Sequence, residues 1–202
     1  LPNGGLAIVI GNLIQQGPNT QNSNMLGFGL EGLTNTVPHQ LYIINNTFVN
    51  ERGKMGVFIN ANSNTLLVKA YNNLFTGQPY TLLAGPVTTL DSMSNLILPN
   101  PADAKFEYMS EYYYELLYNS PCINRGTDPG SAGDFSLTPI YQYIHPMSYH
   151  IRFADDTLDV GACEYGVVTS LKKEQLYINS IKFINSPSTG ERPATHHGQF
   201  IE

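Results

Sequence analysis

Glu31, His39, Arg52 and Lys54 are the best charged or titratable candidates in the first part of the chain for chemistry beside a developing negative charge. Eliminating across a bond next to a carboxylate needs three groups. A base removes a proton from carbon, a positive group stabilises the enolate-like charge, and an acid serves the leaving oxygen. Each of the four also has a structural reading. Glu31 beside Gly32 orders a turn, and His39 after Pro38 is an ordinary loop histidine. Arg52 and Lys54 beside Glu51 are solvated loop charges.

Metal chemistry finds little support. Calcium takes several oxygen ligands close together, ideally clustered carboxylates. The one dense acidic group, Asp155-Asp156 with Asp159, runs directly into Val160-Gly161-Ala162, which favours turn stabilisation. His196-His197 has no zinc-type spacing. The chain carries no nucleophile elbow, P-loop or dinucleotide fingerprint, so neither a cofactor nor a metal is called for. Cys122 and Cys163 are too few for a disulfide scaffold or zinc cluster. Pairing in an exported protein and two free buried thiols both remain open.

The elements that would position these residues follow from composition and repetition. The 202 residues include 42% hydrophobic and only 13% charged residues, which excludes disorder for most of the length. Twenty asparagines, 18 Gly and 13 Pro are heavy turn chemistry and argue against an all-helical protein. The net charge of −6 offers no basic surface for nucleic acid. No apolar run reaches the roughly 18–20 residues of a membrane helix.

Four segments superimpose on an asparagine: Ala7–Ile14, Leu41–Phe48, Val68–Phe75 and the weaker Ser94–Ile97. Their anchors Asn12, Asn46, Asn73 and Asn95 stand 34, 27 and 22 residues apart. Ala7, Leu41 and Val68 share one column, and Val9, Ile43 and Ala70 a second. Ile14, Phe48, Phe75 and Ile97 form a third, just past the bend. Alternation before the Asn predicts a strand with one face inward. Such strands stacked at about 4.8 Å bury a continuous core that no single repeat can form. An asparagine at each bend can lie near the left-handed region and pass its amide to the next coil, giving a ladder.

Met25–Leu30, Gly56–Asn60 and Tyr80–Ala84 supply one further strand per coil. Three short strands per coil describe an all-β chain folded as a right-handed parallel β-helix. A β-sandwich would need hairpin signals at even spacing and would make the Asn register a coincidence. The Met25–Leu30 and Gly56–Asn60 strands come first in each coil, so Glu31 and His39 leave that face while Arg52 and Lys54 enter it.

The chain resembles bacterial right-handed parallel β-helix repeat proteins of the pectate-lyase-like superfamily. The strings that carry the resemblance are Pro2-Asn3-Gly4-Gly5, Ile10–Pro18, Gly29-Leu30-Glu31-Gly32, Asn45–Asn50 and Asn72–Gly77. Ser120–Gly126 and Asp159–Gly166 look like the paired terminal motif that closes the last coils of such proteins. The resemblance covers residues 1–166 and is specific for fold rather than activity. It implies a secreted, periplasmic or cell-surface protein that meets polysaccharide. Complete, it would be a lyase-like enzyme on uronate polymers, with calcium an option only for the full-length protein. The alternative is a non-catalytic carbohydrate-binding or structural module such as an adhesin. It also implies further coils before Pro2, making this chain the C-terminal part of a longer protein.

Domain organisation reads as coils over 1–105, irregular C-terminal coils and a cap over 106–166, and a tail over 167–202. Glu107, Glu111 and Glu115 recur at helical spacing among Tyr108, Tyr112, Tyr113, Tyr114 and Tyr118, predicting a short helix that packs tyrosines over the coil. A sugar-stacking platform is the other reading of these tyrosines. In the tail, Leu176–Phe183 alternates as one strand, and the chain after Asn185 reads as linker.

Overall fold

The computed structural model describes residues 1–77, 80–152 and 157–166, all in the first of two compact units, Leu1–Val167. The strand expected over Leu176–Phe183, the linker after Asn185, His196-His197 and the pair Asp155-Asp156 lie outside the described residues.

Eleven strands form three parallel sheets. Sheet one stacks β1 (Leu6–Ile10), β4 (Gln40–Ile44), β7 (Leu67–Tyr71) and β10 (Thr89–Met93). Sheet two stacks β2 (Leu13–Gln16), β5 (Thr47–Asn50), β8 (Leu74–Thr76) and β11 (Leu96–Leu98). Sheet three stacks β3 (Asn24–Phe28), β6 (Gly56–Ala61) and β9 (Tyr80–Ala84). Each strand pairs with its counterpart in the next pass of the chain, an arrangement compatible with a parallel β-helix.

The columns read from the sequence are the columns of the structure. Ala7 pairs with Leu41, Leu41 with Val68, and Val9 with Ile43. Ile14, Phe48, Phe75 and Ile97 align through sheet two. Phe48 and Phe75 stack at 4.9 Å, and Phe58 of β6 lies 5.1 Å from Phe75. This aromatic column is fully buried at the centre of the main core.

The asparagines form a ladder at the bend between sheets one and two. Asn12 donates from Nδ2 to Oδ1 of Asn46 at 3.1 Å, and Asn46 to Asn73 at 3.0 Å. Asn73 continues it to Asn95 at 2.9 Å. The backbone turns one residue earlier than the ladder itself. Gly11, Asn45, Asn72 and Ser94 carry the positive φ, at 67°, 51°, 57° and 52°. Left-handed geometry there aims the following side chain into the stack, and Gly and Asn tolerate it best.

Residues 106–118 correct the helix expectation. Phe106–Tyr108 is strand β12, Met109–Glu111 a single 3₁₀ turn, and Tyr113–Leu116 strand β13, paired antiparallel with β12. Tyr114 and Leu116 are buried while Tyr113 and Glu115 are partly exposed, a period of two. Those buried side chains pack with Phe106 of β12 over Val49 and Leu74 on the outer face of sheet two. Burial at strand spacing, with tyrosines suited to strands, outweighs the Glu spacing. Leu137, after the hairpin β14–β15 (Ser131–Ala132, Phe135–Ser136), likewise covers Tyr42, Ile44 and Tyr71 outside sheet one.

The paired terminal motif also sits differently from expectation. Its halves do meet: Val160 N–H donates to the Cys122 carbonyl at 3.0 Å, and Gly126 N–H to Leu158 at 2.7 Å. They dock along the bend of the second and third coils. Asn45 Nδ2 donates to Asp159 O at 2.8 Å, Gly161 N–H to Asn72 O at 2.8 Å, and Ala162 N–H to Thr47 Oγ1 at 2.9 Å. The left-handed Asn45 and Asn72 turn their amides outward, where Asp159 O accepts from Asn45 and Thr127 pairs with Asn72 through both its N–H and its carbonyl.

Candidate functional site

The four titratable residues read from the sequence fall into two loops with different partners. Glu31 is exposed in the turn after β3, its N–H donating to Pro2 O at 3.3 Å. His39 is buried, and its Nδ1 accepts the Gly5 N–H at 2.9 Å. That contact requires a lone pair on Nδ1, so the ring closes a loop. Arg52 is also buried, spending its guanidinium on the carbonyls of Thr20 and Met55 at 2.9 Å and Gln21 at 3.4 Å. Lys54 is exposed beyond it.

Glu31 and His39 follow the third-sheet strand β3, whereas Arg52 and Lys54 precede its neighbour β6. Because these strands run parallel, the two loops lie at opposite ends of sheet three, about 16 Å apart at roughly 3.3 Å per residue. The arrangement does not bring the base, acid and cation types together.

A different constellation does converge. The hairpin β16–β17 (Tyr141–Ile144, Ser148–Ile151) and the turn before β13 stand beside the outer side of β2. They enclose a groove of about 460 Å³ lined by Gly11, Asn12, Leu13, Gln15, Tyr112, Tyr143 and His145. The His145 ring lies 5.5 Å from Tyr112, 5.9 Å from Tyr113 and 6.3 Å from Tyr143, centroid to centroid. Tyr143 donates its hydroxyl to Pro146 O at 2.9 Å and lies 3.2 Å from His145 Nδ1. With its proton on the carbonyl, the phenol can only accept from Nδ1, which leaves Nε2 of a neutral ring as an acceptor.

The inner end of the groove is narrower and adds Tyr114, Glu115, Ala162 and Cys163. The buried Tyr114 hydroxyl has no hydrogen-bond partner among the described residues. Burial pushes its pKa up to about 12, with Glu51 and Tyr112 adding to the rise. Gln15 donates to Glu51 at 2.6 Å, so the floor is held by an amide–carboxylate contact between adjacent coils. Burial also lifts the thiols, Cys122 to about 11 and Cys163 to about 12, and both are free. Neither is a ready nucleophile.

A buried ion pair holds the hairpin in place. Arg152, next after β17, meets Glu164 through Nε at 2.8 Å and Nη2 at 2.7 Å. Its remaining donors reach the carbonyls of Gly161 and Asp159. Glu164 N–H donates to Gln142 Oε1 of β16 at 3.0 Å. The Asp159 carboxylate accepts the backbone N–H groups of Asn124 and Tyr165. Burial raises the Glu164 carboxyl to about 7 against the opposing pull of Arg152. The network ties the strand that carries Tyr143 to the segment docked on the coil bend.

No family model, curated protein or solved structure matches this chain. Among the described residues, no group of three or more His, Cys, Asp or Glu could hold a metal ion. No described helix is long and apolar enough to cross a membrane.

Tyr112 was within reach of sequence reasoning as part of the tyrosine cluster. Tyr143, His145 and Gln15 were missed. The alternation of Tyr141 and Tyr143 ahead of His145-Pro146 signals a strand and turn, but nothing in it points to a strand more than 120 residues earlier.

Proposed function

We propose that this chain is a right-handed parallel β-helix that binds extracellular polysaccharide without cleaving it, as a carbohydrate-binding or structural module. The observation that carries this reading is the convergence of Tyr112, Tyr143 and His145 on one groove. Aromatic faces stack against the C–H faces of pyranose rings, and polar side chains beside them hydrogen-bond to hydroxyls. Gln15 and Asn12 are the polar partners here. The resemblance to secreted β-helix proteins supports the extracellular or cell-surface setting and the polysaccharide class. A lyase reading would need an acid, a base and a cation within a few ångström of one bond. Glu31, His39, Arg52 and Lys54 give it little support, since Arg52 and His39 are occupied with backbone groups.

The test is binding and turnover measured together on the full chain. Calorimetry against a panel of hexasaccharides should detect binding that Tyr112→Ala or Tyr143→Phe/His145→Ala weakens about ten-fold. No ultraviolet absorbance from unsaturated product should appear with alginate or pectate. Absence of binding to every glycan, or steady formation of unsaturated product, overturns the proposal.

A further inference from the structure

Resting on that reading, we infer that the groove selects an uncharged pyranose chain and discriminates against uronates. Six cations fall among the described residues, and none of them lines the groove. Arg52 is committed to three backbone carbonyls, and Arg152 to Glu164 and two more. Lys69 sits against Asp91 at 3.9 Å and over the Tyr71 ring at 4.4 Å, outside sheet one. Lys54, Lys105 and Arg125 are exposed on loops outside the lining.

The charged groups of the described residues at the groove are carboxylates. Glu115 lines its inner end, and Glu51 contacts the lining residue Gln15. A carboxylate on the sugar would be desolvated beside these groups with no cation of the described residues in the lining, which is unfavourable at short range. Hydroxyl groups meet no such obstacle. Tyr114, only 3% exposed, keeps a hydroxyl without a hydrogen-bond partner among the described residues at the inner end of the groove. A buried polar group of this kind is normally paired, and a sugar hydroxyl or a bridging water supplies what it lacks. The rings, the amides and the orphaned phenol together suit a neutral glycan.

The experiment compares neutral hexasaccharides (cello-, manno- and xylohexaose) with hexagalacturonate by calorimetry on the full chain, at low salt and at 0.15 M salt. At least one neutral ligand should bind ten-fold or more tightly than the uronate, with the gap narrowing as salt rises. Tyr114→Phe should lose about five-fold in neutral-ligand affinity with an unchanged melting temperature. Glu115→Gln should raise uronate affinity several-fold. Equal or tighter uronate binding overturns the inference and leaves the carbohydrate-binding reading standing. Unchanged uronate affinity in Glu115→Gln overturns the charge basis of the selection. Binding to none of the ligands overturns both.

Discussion

The side-chain oxygen of Asn73 accepts two hydrogen bonds from Asn46, one from its backbone N–H at 2.9 Å and one from Nδ2 at 3.0 Å. Asn73 then returns its own Nδ2 to the Ile43 carbonyl at 2.8 Å and to Asn95 at 2.9 Å. One fully buried side chain therefore links its own pass of the chain to the passes on both sides.

Asn73→Ala should accordingly be among the most damaging single changes in the coils. It strands the Asn46 N–H and the Ile43 carbonyl in the core, at about 1–3 kcal/mol for each buried group left unpaired. A loss of about 2–4 kcal/mol in denaturant unfolding is expected. Asn12→Ala, at the exposed first rung, should lose about 1 kcal/mol. Equal losses at the two positions would contradict the ladder.

Arg52 separates structural from catalytic roles. Arg52→Met keeps the stem but abandons the carbonyls of Thr20, Met55 and Gln21. Stability should fall by about 2–3 kcal/mol, while affinity for a groove ligand stays within two-fold. A strong loss of binding with no loss of stability would return Arg52 to the functional site.

The Glu164 carboxyl gives a pH signature. Its folded value of about 7 lies above the ordinary 4.5, because burial outweighs the attraction of Arg152. Between those values the folded state holds a proton that the unfolded state has released, so this group's contribution to stability falls as pH rises from 4.5 to 7. Comparing wild type with Glu164→Gln isolates it. The wild type should lose stability relative to the variant across that window in urea unfolding, and a parallel pair of curves would refute the assignment.

Cys122 and Cys163 should resist a thiol reagent at pH 8 in the native protein and react promptly in urea, since burial holds both as neutral thiols. Their raised values set a second sign. Above about pH 9 the unfolded thiols ionise while the folded ones do not, so stability falls from pH 9 towards 11 and beyond. Cys122→Ala/Cys163→Ala should flatten that alkaline limb. Rapid labelling of the folded protein at pH 8 would overturn the burial argument.

The coils were legible because a ladder needs like residues at like positions, and Asn12, Asn46, Asn73 and Asn95 supply them. Inward columns such as Ile14, Phe48 and Phe75 then follow from alternation. Harder to read was what covers the outer faces. Phe48-Val49 and Leu74-Phe75 place apolar residues on both faces of sheet two, a sign of double-sided burial that strand alternation alone does not resolve. The Glu107–Glu115 spacing misled because Tyr114 and Leu116 gain more from burial on sheet two than a helix would gain from side-chain pairing. The groove was illegible for a topological reason. Gln15 and His145 meet only through the docking of the C-terminal hairpin, and no local spacing encodes that meeting.

The outward amides of Asn45 and Asn72 have a mechanical consequence. Thr127 N–H and the carbonyl of Thr127 grip Asn72, while Asp159 O grips Asn45, so the later segment is riveted across two coils at once. A bare stack of repeats can peel from one end, each coil held only by its neighbours. A splint running across the coils removes that freedom. Pulled from its ends, this protein should yield in one large rupture that begins when the splint tears away, rather than in a staircase of equal steps.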